Sequence, residues 1–127
     1  MSKIRALIVE DNSQNLRVLS QLLSKHGIEC VEVSNPASVD AVLDSVGALD
    51  IAFLDLEMPR FDGFKVKDLL RSRLGDMPII AYTAHISEMD VVRDSGFDGF
   101  LGKPLDPSRF PELLARILKG ERVWERM

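Results

Sequence analysis

The stretch Leu49-Asp50-Ile51-Ala52-Phe53-Leu54-Asp55-Leu56-Glu57-Met58-Pro59 constrains the chain most. Its apolar part, Ile51 to Leu54, is too short for a helix, is rich in large apolar side chains and stops before Pro59. It reads as a strand buried on both faces, with Asp55 as its last residue. Such a strand belongs in a parallel sheet covered by helices on either side, and in open sheets of that kind ligands bind beyond the carboxyl ends of the strands. Three other apolar runs end alike: Ile4 to Val9 meets Glu10-Asp11, Ile79 to Tyr82 meets Thr83, and Gly99 to Leu101 meets Gly102-Lys103-Pro104. Three carboxylates, a hydroxyl and an amine are therefore expected on one edge of the sheet.

Between these runs the apolar period is helical. Asn12 or Ser13 can cap a helix striped by Leu16, Leu19, Leu22 and Leu23 and closed by Gly27. Ile28 to Val33 alternates apolar with polar, as a half-covered strand near a sheet edge does. Asn35-Pro36 then starts a helix carrying Val39, Val42, Leu43 and Val46. After the loop Arg60-Phe61-Asp62-Gly63 comes a helix with Val66, Leu69, Leu70 and Leu74 inward, and Ser87 to Ser95 forms a weaker one around Ile86, Met89 and Val92. Asp106 as N-cap and Pro107 at the first helical position open the last helix, striped by Phe110, Leu113, Leu114, Ile117 and Leu118. The tail Glu121 to Met127 has no period.

Alternating strands and helices joined by short loops predict an α/β, doubly wound parallel sheet with five strands and five helices. Periodicity does not set strand order; the flavodoxin-like order 2-1-3-4-5 is the expectation, with its switch point between the strands carrying Glu10-Asp11 and Asp55. One domain spans 1–127, with a core over about 4–119 and a tail over 120–127. The balance of 46% apolar and 28% charged residues suits a soluble globule, and no apolar run nears the span of a bilayer. Met1 to Val9 is a first strand and no leader, so the protein is expected in the cytoplasm. Cys30 has no partner for an internal disulfide and reads as a small buried apolar residue. A net charge of -4 with scattered basic residues argues against a nucleic-acid surface, because phosphate contacts need clustered Lys and Arg.

Glu10-Asp11, Asp55 followed by Met58-Pro59 and Asp62-Gly63, Thr83-Ala84, and Phe100 three residues before Lys103-Pro104 together resemble the receiver domain of two-component response regulators. The resemblance covers Ile4 to about Lys119. It implies phosphorelay signalling in which Asp55 accepts a phosphoryl group from a sensor histidine kinase or histidine phosphotransfer protein and switches a face that binds a downstream protein. Beyond its own phosphorylation and dephosphorylation at Asp55 such a domain is not an enzyme. The resemblance also implies a metal ligand in the backbone carbonyl of Glu57, a cis Lys103-Pro104 bond, a Thr83 and Phe100 switch pair, and an influence of Glu57 and His85 on phosphate lifetime. It leaves open a stand-alone regulator, monomeric or weakly dimeric, or the receiver of a hybrid kinase or longer regulator. Glu10 replaces the commoner Asp, and Phe100 stands where many members have Tyr.

The chemistry can be argued beside the resemblance. Glu10, Asp11 and Asp55 crowded together repel unless a cation neutralises them. Oxygen-only ligands with no Cys or His cluster favour Mg²⁺, with Asp11 and Asp55 as direct ligands and Glu10 acting through water. A carboxylate can attack phosphorus, which makes Asp55 the nucleophile, while Lys103, Thr83 and the amide of Ala84 cover the phosphoryl oxygens. Two other classes share parts of this set. A haloacid-dehalogenase-type phosphohydrolase needs a second Asp two residues after its nucleophile, where Glu57 stands. A flavodoxin-like flavin carrier needs a phosphate-cradling loop after the first strand, where Glu10-Asp11-Asn12 would repel the phosphate.

Overall fold

The computed structural model describes residues 3–84 and 89–125. Strands β1 (Arg5–Val9), β2 (Glu29–Val33), β3 (Ile51–Asp55), β4 (Ile79–Thr83), β5 (Gly99–Gly102) and β6 (Val123–Glu125) form one sheet in the order β2-β1-β3-β4-β5-β6. Every pairing is parallel. Helices α1 (Ser13–Ser24), α2 (Val39–Ser45), α3 (Gly63–Leu74), α4 (Met89–Asp94) and α5 (Phe110–Leu118) connect them. The first five strands have the expected order. All of β3 and β4 is buried, whereas β2 at the edge is only partly covered, which accounts for the continuous apolar runs in the former and the alternation in the latter.

Because side chains alternate across each strand, the sheet carries two cores. Ile8, Phe53, Ile80, Tyr82 and Leu101 pack with Leu19 and Leu23 of α1 and Phe110 and Leu114 of α5. Leu7, Leu54, Ala81 and Phe100 pack on the other face with Val39, Leu70, Val92 and Phe97. Complete burial of one such Leu or Phe contributes roughly 2 kcal/mol. These layers hold β1, β3, β4 and β5 side by side, and so fix which residues meet beyond their carboxyl ends.

The local signals act largely as expected. Asn12 is the α1 cap, its side chain accepting from the Asn15 amide at 2.9 Å, and Asp62 does the same for α3 through Phe64 at 2.9 Å. Three boundaries differ. Asn35-Pro36 opens a short 3-10 turn, Pro36–Ser38, before α2 begins at Val39. Asp106 organises a turn, its carboxylate taking the Ser108 amide at 2.9 Å, and α5 starts only at Phe110 with Pro111 in its first turn. The weak fourth helix covers Met89–Asp94 among the described residues; Ile86 and Ser87, placed in it by the sequence, lie outside them.

The tail adds an element that periodicity did not reveal. Val123–Glu125 extends the sheet as β6, with Trp124 beside Phe100 in the register. Gly99 permits this approach, since a Cβ there would stand 2.9 Å from the Val123 carbonyl oxygen. The Arg93 guanidinium of α4 lies 5.2 Å from the Trp124 ring, and Arg109 pairs with Glu125 at 3.3 Å. The tail is thereby tied across the α4, β5 and α5 side of the molecule.

Candidate functional site

Parallel register brings the strand ends together. Val9 pairs with Leu54, so Glu10 follows beside Asp55, and Asp55 itself pairs with Tyr82. Glu10 is fully buried and Asp55 is 1% exposed, while Asp11 faces solvent. One carboxylate oxygen from each of Glu10, Asp11 and Asp55 lies within 4.8 Å of the others, the only such group of possible metal ligands among the described residues. They open on a cavity of about 340 Å³ that Asn12, Asn15, Glu57, Pro59 and Lys103 also line.

Lys103 reaches back from the end of β5 through a cis Lys103-Pro104 bond. Its Nζ donates to Glu10 Oε2 at 3.1 Å and stands 3.1 Å from Asp55 Oδ1, bridging the two buried acids. Further donors reach the same pair: the Asn12 amide donates to the other Glu10 oxygen, Oε1, at 3.0 Å, and the Glu57 amide to the same Asp55 Oδ1 at 2.9 Å. Even so, burial pushes the Asp55 carboxyl up to about 6; the Glu57 amide opposes that shift and neighbouring Glu10 adds to it. Three carboxylates face one ammonium, an excess of negative charge that a divalent cation cancels, and the oxygen-only donor set is of the kind that holds Mg²⁺.

Thr83, fully buried at the end of β4, faces the opposite side of the strand from Tyr82. Its hydroxyl and the amide of Ala84 both donate to Glu57 Oε1. A carboxylate oxygen thus already sits between two donors that the sequence reading assigned to a phosphoryl oxygen. Phe100 has no exposed surface, packed in the second core with Trp124 against that core from β6. The expectation for His85 lies outside the described residues.

The structure therefore gathers Glu10, Asp11, Asp55, Glu57, Thr83, Ala84 and Lys103 around one crevice and keeps Phe100 one strand away, inside the core. Sequence reasoning missed two participants. The Glu57 side chain was not given an acceptor role, and no period marks it. Tyr82 was read as strand filling, although it has the strand parity that puts Ile80 and Phe53 on the Asp55 face. No described helix is long and apolar enough to cross a membrane.

Comparison with known proteins agrees with this geometry. The family model for the response regulator receiver domain matches residues 6–115. "Stress response regulator protein 1" of Meyerozyma guilliermondii is 37% identical over 112 residues, covering 84% of this chain and 51% of that protein. The chain spans about half the length, or less, of the curated relatives it matches. Among solved structures, a CheY-like receiver domain protein from Methanospirillum hungatei superposes with a TM-score of 0.82 at 21% identity, covering 94% of this chain and 96% of that one. The receiver domain of a sensor histidine kinase from Pseudomonas aeruginosa, solved with a magnesium ion in its active-site cleft, gives 0.78 at 23% identity over 93% and 99%. The family match runs from β1 into α5 and takes in every strand end that builds the acid pocket, so the chain belongs to the response regulator receiver family, whose members accept phosphoryl groups from histidine kinases or phosphotransfer proteins in phosphorelays.

Proposed function

We propose that Asp55 is the phosphoryl acceptor of this receiver and that loading it repacks the α4, β5 and β6 side for a downstream protein. The observation that carries this reading is the buried Glu10 and Asp55 pair bridged by Lys103 at the mouth shared with Asp11. Glu10, Asp11, Asp55 and the backbone carbonyl of Glu57 would hold Mg²⁺, which supplies positive charge against a phosphoryl oxygen. An Asp55 carboxylate oxygen forms the new bond to phosphorus while the bond from phosphorus to the donor histidine nitrogen breaks, that nitrogen leaving with the electron pair. Lys103 then turns to a phosphoryl oxygen, and Thr83 and Ala84 release Glu57 to donate to another. The partner chemistry is a phosphohistidine protein on one side and a protein face on the other, with no nucleic acid, in the cytoplasm. We read residues 1–127 as one receiver domain, monomeric or weakly dimeric.

A small phosphodonor with Mg²⁺, followed by intact mass, tests the class. One lasting acid-labile phosphoryl adduct is expected. Rapid donor turnover without an adduct would favour the phosphohydrolase reading, and no reaction at all the carrier reading.

Two variants test the roles within the pocket. Lys103→Ala should keep Mg²⁺ affinity yet lose most of the conformational response to phosphorylation, because the ammonium meets the phosphoryl oxygen more than the metal. Loss of Mg²⁺ affinity with an intact response would contradict that role. Glu57→Gln removes a negative charge and weakens the internal competitor for the Thr83 and Ala84 donors; adduct formation should quicken by about two- to tenfold, measured by stopped time points in intact mass. Uptake that slowed would show that Glu57 assists the incoming phosphoryl group.

The output side has its own reporter. Since Phe100 is already buried, its movement is an exchange between two packed positions rather than a ring folding in from solvent. Trp124 lies beside it in the register and is the only tryptophan in the chain. Beryllofluoride with Mg²⁺ should change Trp124 fluorescence and raise or lower hydrogen exchange most from α4 through Asp106. Thr83→Ala should mute both while leaving Asp55 modifiable. An undiminished response in that variant would mean that the signal leaves by another face.

A further inference from the structure

Tyr82 carries a group that the phosphorylation chemistry does not use. It is 2% exposed, and its hydroxyl oxygen is the buried side-chain polar atom without a hydrogen-bond partner among the described residues. A phenylalanine would fill the same space without leaving a hydroxyl unsatisfied, so the oxygen has a cost in this arrangement of the pocket and no visible return.

Its position says where a return could arise. Asp55, Tyr82 and Leu101 are register partners across three strands, and Glu10, one residue past the Val9 and Leu54 pair, continues the row; Tyr82 and Leu101 belong to the core packed against α1 and α5. The ring lies under the Lys103 ammonium, 4.5 Å from Nζ to the centroid. Burial first, and then the carboxylates of Glu10 and Asp55, hold its proton in place; Glu10 is near enough to act on the O–H, but the geometry of a formed hydrogen bond is not met. Tyr82 thus holds its O–H close to Glu10, with its ring under the ammonium that now joins Glu10 to Asp55.

On the reading of Asp55 and Lys103 given above, that ammonium leaves Glu10 Oε2 when a phosphoryl oxygen arrives. Glu10 is fully buried, so losing that donor leaves a carboxylate oxygen to be satisfied from within the pocket. We propose that Tyr82 is a positioning residue of the loaded pocket, its hydroxyl donating to the Glu10 carboxylate as Lys103 turns to the phosphoryl oxygen, so that Glu10 keeps its aim toward the metal. The aromatic face meanwhile gives the ammonium a favourable surface along which to move. The logic is that of an outer partner orienting a metal-site carboxylate, and it assigns the hydroxyl to the state in which it is satisfied.

Tyr82→Phe separates this role from ordinary packing by acting with opposite sign on two states. Without metal, thermal unfolding in excess chelator should occur at the same temperature as wild type or higher, since no bond is lost. With Mg²⁺, fluorine NMR of bound beryllofluoride should show affinity reduced by about three- to tenfold, the equivalent of one buried hydrogen bond. Unchanged beryllofluoride affinity would overturn the proposal. So would a lower unfolding temperature in chelator, because the hydroxyl would then have a partner in the unloaded pocket. A wild-type protein that binds no beryllofluoride, or an Asp55→Asn variant that binds it as well as wild type, would remove the reading of Asp55 itself, a failure visible before Tyr82 is altered.

Discussion

Asp55→Asn should take up no phosphoryl group from acetyl phosphate or a phosphohistidine protein, and the wild-type chain should take up none in excess chelator. Asn keeps the shape of the side chain and a carbonyl oxygen, but its amide is neutral, with the nitrogen electron pair delocalised into the carbonyl, and is too poor a nucleophile to attack phosphorus. The surrounding donors do not rescue it. Lys103 still has Glu10 as a partner at 3.1 Å, so the pocket should stay assembled and the loss should be chemical. The chelator arm tests a separate element, the excess of carboxylate charge over the single ammonium. A phosphoryl donor carries further negative charge into a crevice where Glu10, Asp11 and Asp55 already repel it, and only an added cation makes that approach favourable. Intact mass reads both arms. Uptake by Asp55→Asn equal to wild type would place the acceptor elsewhere, and undiminished uptake in chelator would mean that Lys103 alone neutralises the site.

The second large effect is on stability. Burial raises the Asp55 carboxyl from its ordinary 3.8 to about 6, against the pull of the Glu57 amide and Lys103 and with reinforcement from Glu10. Between those values the folded chain holds a proton that the unfolded chain has released. The sign follows: the burden of ionising Asp55 in the fold is absent below about pH 4, grows as the pH rises, and is complete above about pH 6. Its full size is on the order of 3 kcal/mol. In chelator, wild type should therefore lose stability relative to Asp55→Asn as the pH rises from 4 to 7, read from denaturant unfolding at each pH. Mg²⁺ at neutral pH should recover part of that loss, because an ion that binds only the folded pocket stabilises it by mass action. A wild type that gained relative to Asp55→Asn over this range would mean that Lys103 outweighs burial.

The fold was legible in the sequence wherever period or punctuation carried it. Buried strands such as Ile51 to Leu54 are continuous apolar runs, and the α1 stripe ends near a glycine with φ of 75° at Gly27. Asp106-Pro107 marked the first turn, where the Phe110 amide meets the Asp106 carbonyl at 2.9 Å, but Pro111 has no N–H to continue the ladder and the regular helix starts only at Phe110. Val123 to Glu125 is too short to show alternation, and its strand forms through the space over Gly99, which only the tertiary arrangement reveals.

The site was legible for a different reason. Parallel strands deliver whatever follows them to one edge, so Glu10, Asp11, Asp55, Thr83 and Lys103 could be placed together without knowing any distance. What the sequence withheld is where flexible or uncharged groups turn once there. Glu57 has several rotamers, and only its meeting with Thr83 and Ala84 shows which one the crevice selects. Tyr82 looked like core because its ring is core; its role turns on one oxygen atom at the end of that ring.

Borohydride reduction of the protein after reaction with a phosphodonor and Mg²⁺, followed by peptide sequencing in the mass spectrometer, tests the central claim most directly. Hydride converts an acyl phosphate to an alcohol, so the acceptor is marked at its own residue. Homoserine at position 55, with Glu10 and Asp11 unchanged, is the predicted result. An unmodified Asp55, with the mark on Asp11, Glu10 or Glu57, would contradict it.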